Sequence, residues 1–193
     1  MTTTASGRSG AIPPSAELVL AFVNTRADGA GREELFGGAE TLAAWLAEHH
    51  RAAASATVTD ADAATARELR DALVTVMLAH SGDVDPASHQ VVAAEAHLSR
   101  AGMLYPLASV ITEQDVRLVS PQDGVAHAFG SVLAAVTEFA QSGEWGRLKA
   151  CRNPPCHFGF FDRTRNGSGR YCSTGCSAQV GMRRYRERQR NSI

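Results

Sequence analysis

Four cysteines fall between residues 151 and 176, and the 150 residues before them hold none. The spacing is C-x4-C, fifteen residues, then C-x3-C, formed by Cys151, Cys156, Cys172 and Cys176. Two close pairs separated by a fingertip-sized loop bring four sulfurs to one tetrahedral point, and Zn2+ takes four thiolates at about 2.3 Å. Neither pair is the C-x-x-C of a redox motif, and in a reducing compartment clustered cysteines more often hold metal than form disulfides. One structural Zn2+ on these four residues is the expectation. His157, directly after Cys156, is the nearby side chain that could replace a cysteine in the set.

The residues around the cysteines predict how they are presented. Asn153, Pro154 and Pro155 suit a tight turn between the first two sulfurs. Phe158, Phe160 and Phe161 form an aromatic run, Arg165 to Gly169 (RNGSG) reads as a turn, and Arg170-Tyr171 returns, which predicts a hairpin between the cysteine pairs. The last pair opens a basic helical stretch, so Cys176 should lie in a first turn whose dipole favours thiolate. Knuckle, hairpin and helix in that order describe a treble-clef zinc finger.

Charge separates this segment from the rest. Residues 147–193 carry 11 Arg or Lys against two acids, whereas residues 1–146 carry 8 against 18, giving +9 and −10 for a net −1. An acidic body with a basic, cysteine-framed tail points to a polyanionic partner for the tail. The candidate nucleic-acid contacts are Arg163, Arg165 and Arg170 in the finger loop, with Arg183, Arg184, Arg186, Arg188 and Arg190 beyond the last cysteine. The 19 basic residues include one lysine, Lys149, which is read as compositional bias alone.

The body is expected to be helical. Residues 1–14, rich in Thr, Ser and Gly, read as a disordered leader without the apolar centre of a secretion signal. Ser15 should cap a short helix with Leu18, Phe22 and Val23 on one face, ended by Asn24 and Thr25. A second helix carries Leu42, Trp45 and Leu46. The longest spans 60–80, capped by Thr59 or Asp60, with Leu69, Leu73, Val76 and Met77 inward. A fourth should begin at Asp85-Pro86 and run to about Arg100. Two β-favouring runs, Leu107–Thr112 and Val116–Val119, predict a hairpin, and a helix from Asp123 carries Val125, Phe129, Val132, Leu133, Val136 and Phe139 to the stop at Gly143. EWGRLKA then reads as a linker. The fold class is therefore mainly α: a helical domain over 15–146 with a short β-hairpin, then a small zinc finger over 147–193.

Catalytic signatures are missing from the sequence. The six histidines of the body form no H-x-x-x-H or H-E-x-x-H pair and read as surface or capping residues, Glu68 and Asp71 as a solvated face, and no phosphate loop or nucleophile elbow occurs. Asn24 is the one body residue marked for a ligand pocket, with a helix cap as its commoner use.

The sequence resembles bacterial proteins that pair an N-terminal ABATE domain with a C-terminal CGNR zinc finger, generally described as stress-induced transcription regulators. The resemblance rests on LVLAFVNT, the Trp45 helix and RLKACRNPPCHFGFFDRTRNGSGRYCS. It implies a mostly helical N-terminal domain, a treble-clef zinc site on the four cysteines, and DNA binding. Three departures stand out. The last two cysteines are spaced by three residues where the family has four, Ser177-Ala178-Gln179 replaces the Gly-Asn-Arg of the motif, and Ala21 stands where an acidic residue is common. No base contact carries over to Ala178 or Gln179.

Together these readings describe a cytoplasmic, non-enzymatic, zinc-dependent DNA-binding regulator, without membrane attachment, whose body senses a small-molecule effector or forms a homodimer. The alternatives are an RNA-binding treble clef and a small-molecule-binding helical domain in which zinc only clamps the chain end.

Overall fold

The computed structural model describes residues 12–28, 31–50 and 56–191. The leader expected over 1–14 lies outside them as far as residue 11. Ile12 already packs on the core, and helix α1 (Pro14–Val23) starts with proline in its first turn, so Ser15 is not the cap. Proline serves there because its missing N–H would be unpaired at a helix start anyway. Asn24 ends α1 as expected.

α2 (Ala39–His49) buries Leu42, Trp45 and Leu46. Trp45 meets the ring edges of Phe22 and Phe36 at centroid distances of 5.7 and 5.4 Å, which ties α2 to α1 and to the loop between them. α3 (Asp60–His80) is the central helix. Thr59 accepts from the Asp62 amide and the Asp62 carboxylate accepts from Thr59 N, a reciprocal cap that fixes the start. Within α3, Arg70 is 2% exposed and pairs with Glu34 at 2.5 Å and Asp71 at 3.0 Å, pinning the loop before α2 onto the core. A buried guanidinium is tolerated only with such pairing.

α4 (His89–Leu104) lies along α3. It starts three residues later than Asp85-Pro86 predicts: Asp85 turns the chain by accepting from Ala87 N and Ser88 N, and Ser88 becomes the N-cap. The hairpin follows in the expected place, β1 (Ala108–Ile111) antiparallel to β2 (Val116–Val119), with Ala108 opposite Val119 and Ile111 opposite Val116. α5 (Gly124–Gln141) then buries Val125, Phe129, Val132, Leu133 and Phe139 against α1, as its period requires. Of the body histidines, His50 takes a capping place, as the C-cap of α2, with its backbone N–H donating to Leu46 O, but not an exposed one. It is 8% exposed, its Nε2 has no hydrogen-bond partner among the described residues, and burial, reinforced by His49 and His127, lowers its pKa to about 4.

The largest difference from the sequence reading lies at EWGRLKA. It is not a linker: Trp145–Arg147 forms a 3-10 turn, and Leu148–Ala150 forms strand β3, with all three residues buried. β3 lies on α3, and Leu148 and Ala150 belong to the same core cluster as α1, α3 and α5. Its partner is β4 (Gly159–Phe161), antiparallel, with Leu148 opposite Phe161 and Ala150 opposite Gly159. The first cysteine pair is thus the turn of a hairpin that begins inside the body core. α6 (Thr174–Arg190) ends the described fold, with Val180 its one buried residue.

Candidate metal centre and basic helix

The thiols come together because three local structures aim them. Cys151 leaves β3 buried, its amide donating to Phe158 O at 3.0 Å. The knuckle closes where Cys156 N donates to Asn153 O at 2.8 Å across Pro154-Pro155, a cis bond. Ser173 caps α6 by accepting from Cys176 N at 3.2 Å, which places Cys176 in the first helical turn, as expected.

The four sulfurs lie within 4.8 Å of one another, with Cys156–Cys172 and Cys172–Cys176 both 3.7 Å apart. Sulfurs 2.3 Å from a common tetrahedral ion would be separated by about 3.8 Å. No S–S bond joins them. The residues therefore fit one zinc ion in a closed, structural site. His157 is outside this group of four; its backbone is left-handed at φ 43, and burial is the main cause lowering its pKa.

The electrostatics favour a cation in the site. Burial and the neighbouring thiols push Cys172 far up, and burial raises Cys151. Burial acts in the same sense on Cys176, but hydrogen bonds involving Asn153, Ser173 and neighbouring thiols overcome it and bring Cys176 down to about 7. Crowded thiols resist ionising side by side, and a bound dication reverses that resistance.

The loop between the cysteine pairs is not the hairpin the turn signal suggests, because a side chain replaces the strand ladder. Lys149 projects from β3, 4% exposed. Its ammonium meets Asp162 at 2.8 Å and donates to the carbonyls of Gly167 and, at 3.2 Å, Gly169. Asp162 also accepts from Thr164 N at 2.9 Å and Gly169 N at 2.7 Å. Burial alone would raise its pKa; the Lys149 ammonium and these donors lower it to about 2. A Cβ on Gly169 would stand 2.7 Å from Asp162 Oδ1, so only glycine fits there. Arg147 completes the frame by donating to Asp162 O and Thr164 O at 2.9 and 2.7 Å. Sequence reasoning missed Lys149; its signal was being the one lysine among 19 basic residues, at a place where a compact ammonium with three donors suits a ring of carbonyls.

Body side chains grip the knuckle as well. Asn24 donates to Gly159 O at 3.0 Å and accepts from Gly159 N at 2.7 Å. Both ends of its amide therefore pair with β4, and Asn24 is also the C-cap of α1, the commoner use expected of it. Gly159 itself sits so close to the body that a Cβ would lie 2.6 Å from Val23 Cγ2. Arg32 donates to Cys156 O at 2.6 Å and stacks over Phe158, His80 Nδ1 lies 2.8 Å from Leu148 O, and Arg152 pairs with Asp83 at 3.2 Å.

The arginines marked for nucleic acid are all exposed. Arg163, Arg165 and Arg170 lie on the loop or its return, where Arg170 O accepts from Arg152 N at 3.0 Å. Arg183 turns back to the knuckle, donating to the Asn153 side chain and, at 3.3 Å, to Pro154 O; Asn153 in turn donates to Gln179 at 2.8 Å. Arg184 and Arg188 are one helical turn apart on one side of α6, and Arg186 and Arg190 one turn apart on another, with Tyr185 half exposed between them. No helix among the described residues is long and apolar enough to cross a membrane.

Two family models match the chain. One, ABATE, carries the description "Putative stress-induced transcription regulator" and covers residues 16–142; the other, the CGNR zinc finger, covers residues 147–189. No curated protein matches the chain.

Proposed function

The chain belongs to the ABATE family and carries a CGNR zinc finger, and on that premise we propose that it is a zinc-dependent, DNA-binding transcription regulator of the stress response. It acts in the cytoplasm by binding rather than by catalysis. The observation that carries this reading is α6: 17 residues, about 25 Å long, that bury one side chain and expose arginine on more than one side. A helix that gives so little to its own core has its surface available for a partner, and arginine on two sides suits phosphates on either wall of a groove. The −10 charge of residues 1–146 repels the same polyanion and confines contact to the tail.

In this reading zinc makes no contact with DNA. The ion joins the knuckle on β3 to the first turn of α6 and so aims the helix, while the Arg183–Asn153–Gln179 contacts set its angle to the knuckle. Where the family motif has Gly-Asn-Arg, this chain has Ser177-Ala178-Gln179, and Gln179 faces the knuckle. Base reading therefore falls to residues later in α6. The body supplies a sensing or dimerising function.

Duplex-DNA binding followed over a salt series tests the proposal. Four phosphate contacts by Arg184, Arg186, Arg188 and Arg190 give a log–log slope of about −3.6, and Arg184→Ala with Arg186→Ala lowers its magnitude by about 1.8. Unchanged affinity and slope in that variant would remove α6 from the interface. Structured RNA that outcompetes duplex DNA at matched salt would assign the tail to RNA instead.

A further inference from the structure

A cleft of about 450 Å³ opens between α3, α4 and α5, walled by Leu73, Leu98, Leu133, Val136 and the ring of Trp145. Besides Trp145, with its indole N–H, the polar side chains of its lining are three hydroxyls. Those of Ser99 and Thr137 donate within their own helices, to Glu95 O and Leu133 O at 2.9 Å each, which leaves their acceptor lone pairs open. The third, Tyr105, stands edge-on to Phe129 at 5.3 Å, and burial raises its pKa, so it remains a protonated donor at neutral pH. None of the lining residues carries a charge. The clefts along α6, by contrast, are lined by arginine.

We infer that this cleft is a binding site for an uncharged one- or two-ring compound bearing a hydroxyl or carbonyl oxygen. The size follows from volume: a cavity of roughly 150 Å³ holds one benzene ring, and this one is about three times larger. The neutral charge follows from the lining, because a carboxylate or ammonium would lose its water with no counter-ion in return. The single polar group follows from Tyr105 as donor and the Ser99 and Thr137 hydroxyls as acceptors, a few polar points in an apolar wall as small-molecule sites have. Trp145 lies between the two family-matched segments, and its ring stands edge-on to His80 at 5.1 Å. The site is independent of any DNA contact by α6, so each can fail alone.

The zinc-loaded full chain contains two tryptophans, Trp45 and Trp145, whose indole N–H signals separate in a 1H–15N correlation spectrum. 1-Naphthol is expected to shift the Trp145 indole and leave the Trp45 indole in place, while 1-naphthalenesulfonate at the same concentration shifts neither. A Cβ at Gly102, on the cleft wall, meets nothing within 4 Å. Gly102→Leu should therefore fill the cleft without lowering the melting temperature, since leucine also favours the helix over glycine, and weaken naphthol binding at least about tenfold. A Trp145 indole unmoved by naphthol, or moved equally by the sulfonate, overturns the inference in the wild-type protein alone. Unchanged naphthol affinity in folded Gly102→Leu overturns it as well.

Discussion

β3 and α6 both belong to the segment that carries the cysteines, yet they are opposites. β3 has three residues and buries all of them, whereas α6 has seventeen and buries one. The first half of the finger is thus a strand of the body core, and the second half is a helix fixed mainly at its base. A zinc finger is easily pictured as an appendage on a linker. Here the four-cysteine cluster instead joins a piece of core to a projecting helix, and a mutation's cost should depend on which side of the sulfurs it falls.

The largest effect is expected at Lys149. Lys149→Met leaves Asp162 and two loop carbonyls without their buried partner, and urea unfolding should show a loss of about 3–5 kcal/mol. A loss below about 1 kcal/mol would mean that the loop does not depend on the strand. His50 marks an acid-sensitive point on the body side, away from the sulfurs. Its folded pKa of about 4 lies below the ordinary 6.5, so the unfolded chain binds the proton more readily. Stability is fully present above pH 6.5 and falls by about 3 kcal/mol as pH drops through that window to 4. His50→Gln should remove this part of the slope, and the difference between variant and wild type cancels acid effects on the thiolates.

Asn24→Ala removes both hydrogen bonds to Gly159 and should cost about 1–3 kcal/mol, read as a lowered urea midpoint at constant m-value. The smallest effect is expected on the projecting side. Arg184→Ala with Arg186→Ala should leave stability within about 0.5 kcal/mol of wild type while weakening DNA binding, a split that no residue of β3 should show.

The sequence made some of this legible and hid the rest for physical reasons. The cysteine spacing disclosed the four-thiol cluster because two close pairs flanking a short loop are a local pattern that survives small changes in each spacing. α3 was legible through its Thr59 cap and apolar period, α5 through its long apolar period, and the β1–β2 hairpin through its β-branched runs. β3 was not. Three residues carry no period, and Lys149 at its centre makes the stretch read as polar surface when the ammonium is in fact enclosed by Asp162 and two carbonyls. The finger hairpin was misplaced for the same reason, since the true partner of the aromatic run lies before the first cysteine rather than after the turn. Asn24 drew notice as a polar residue closing an apolar helix, but its partner is 135 residues away, and no local pattern announces such a contact.

The most direct test of this division is amide hydrogen exchange on the full chain, zinc-loaded and after chelation. The expected result is that β3 and β4 keep their protection to within about threefold on chelation, because their bonds rest on the body, while α6 loses protection by about a hundredfold or more, since an unanchored helix of its length is marginal in water. Loss of protection in β3 together with α6 would contradict the division and make the finger one metal-dependent unit, and an α6 unchanged by chelation would contradict it from the other side.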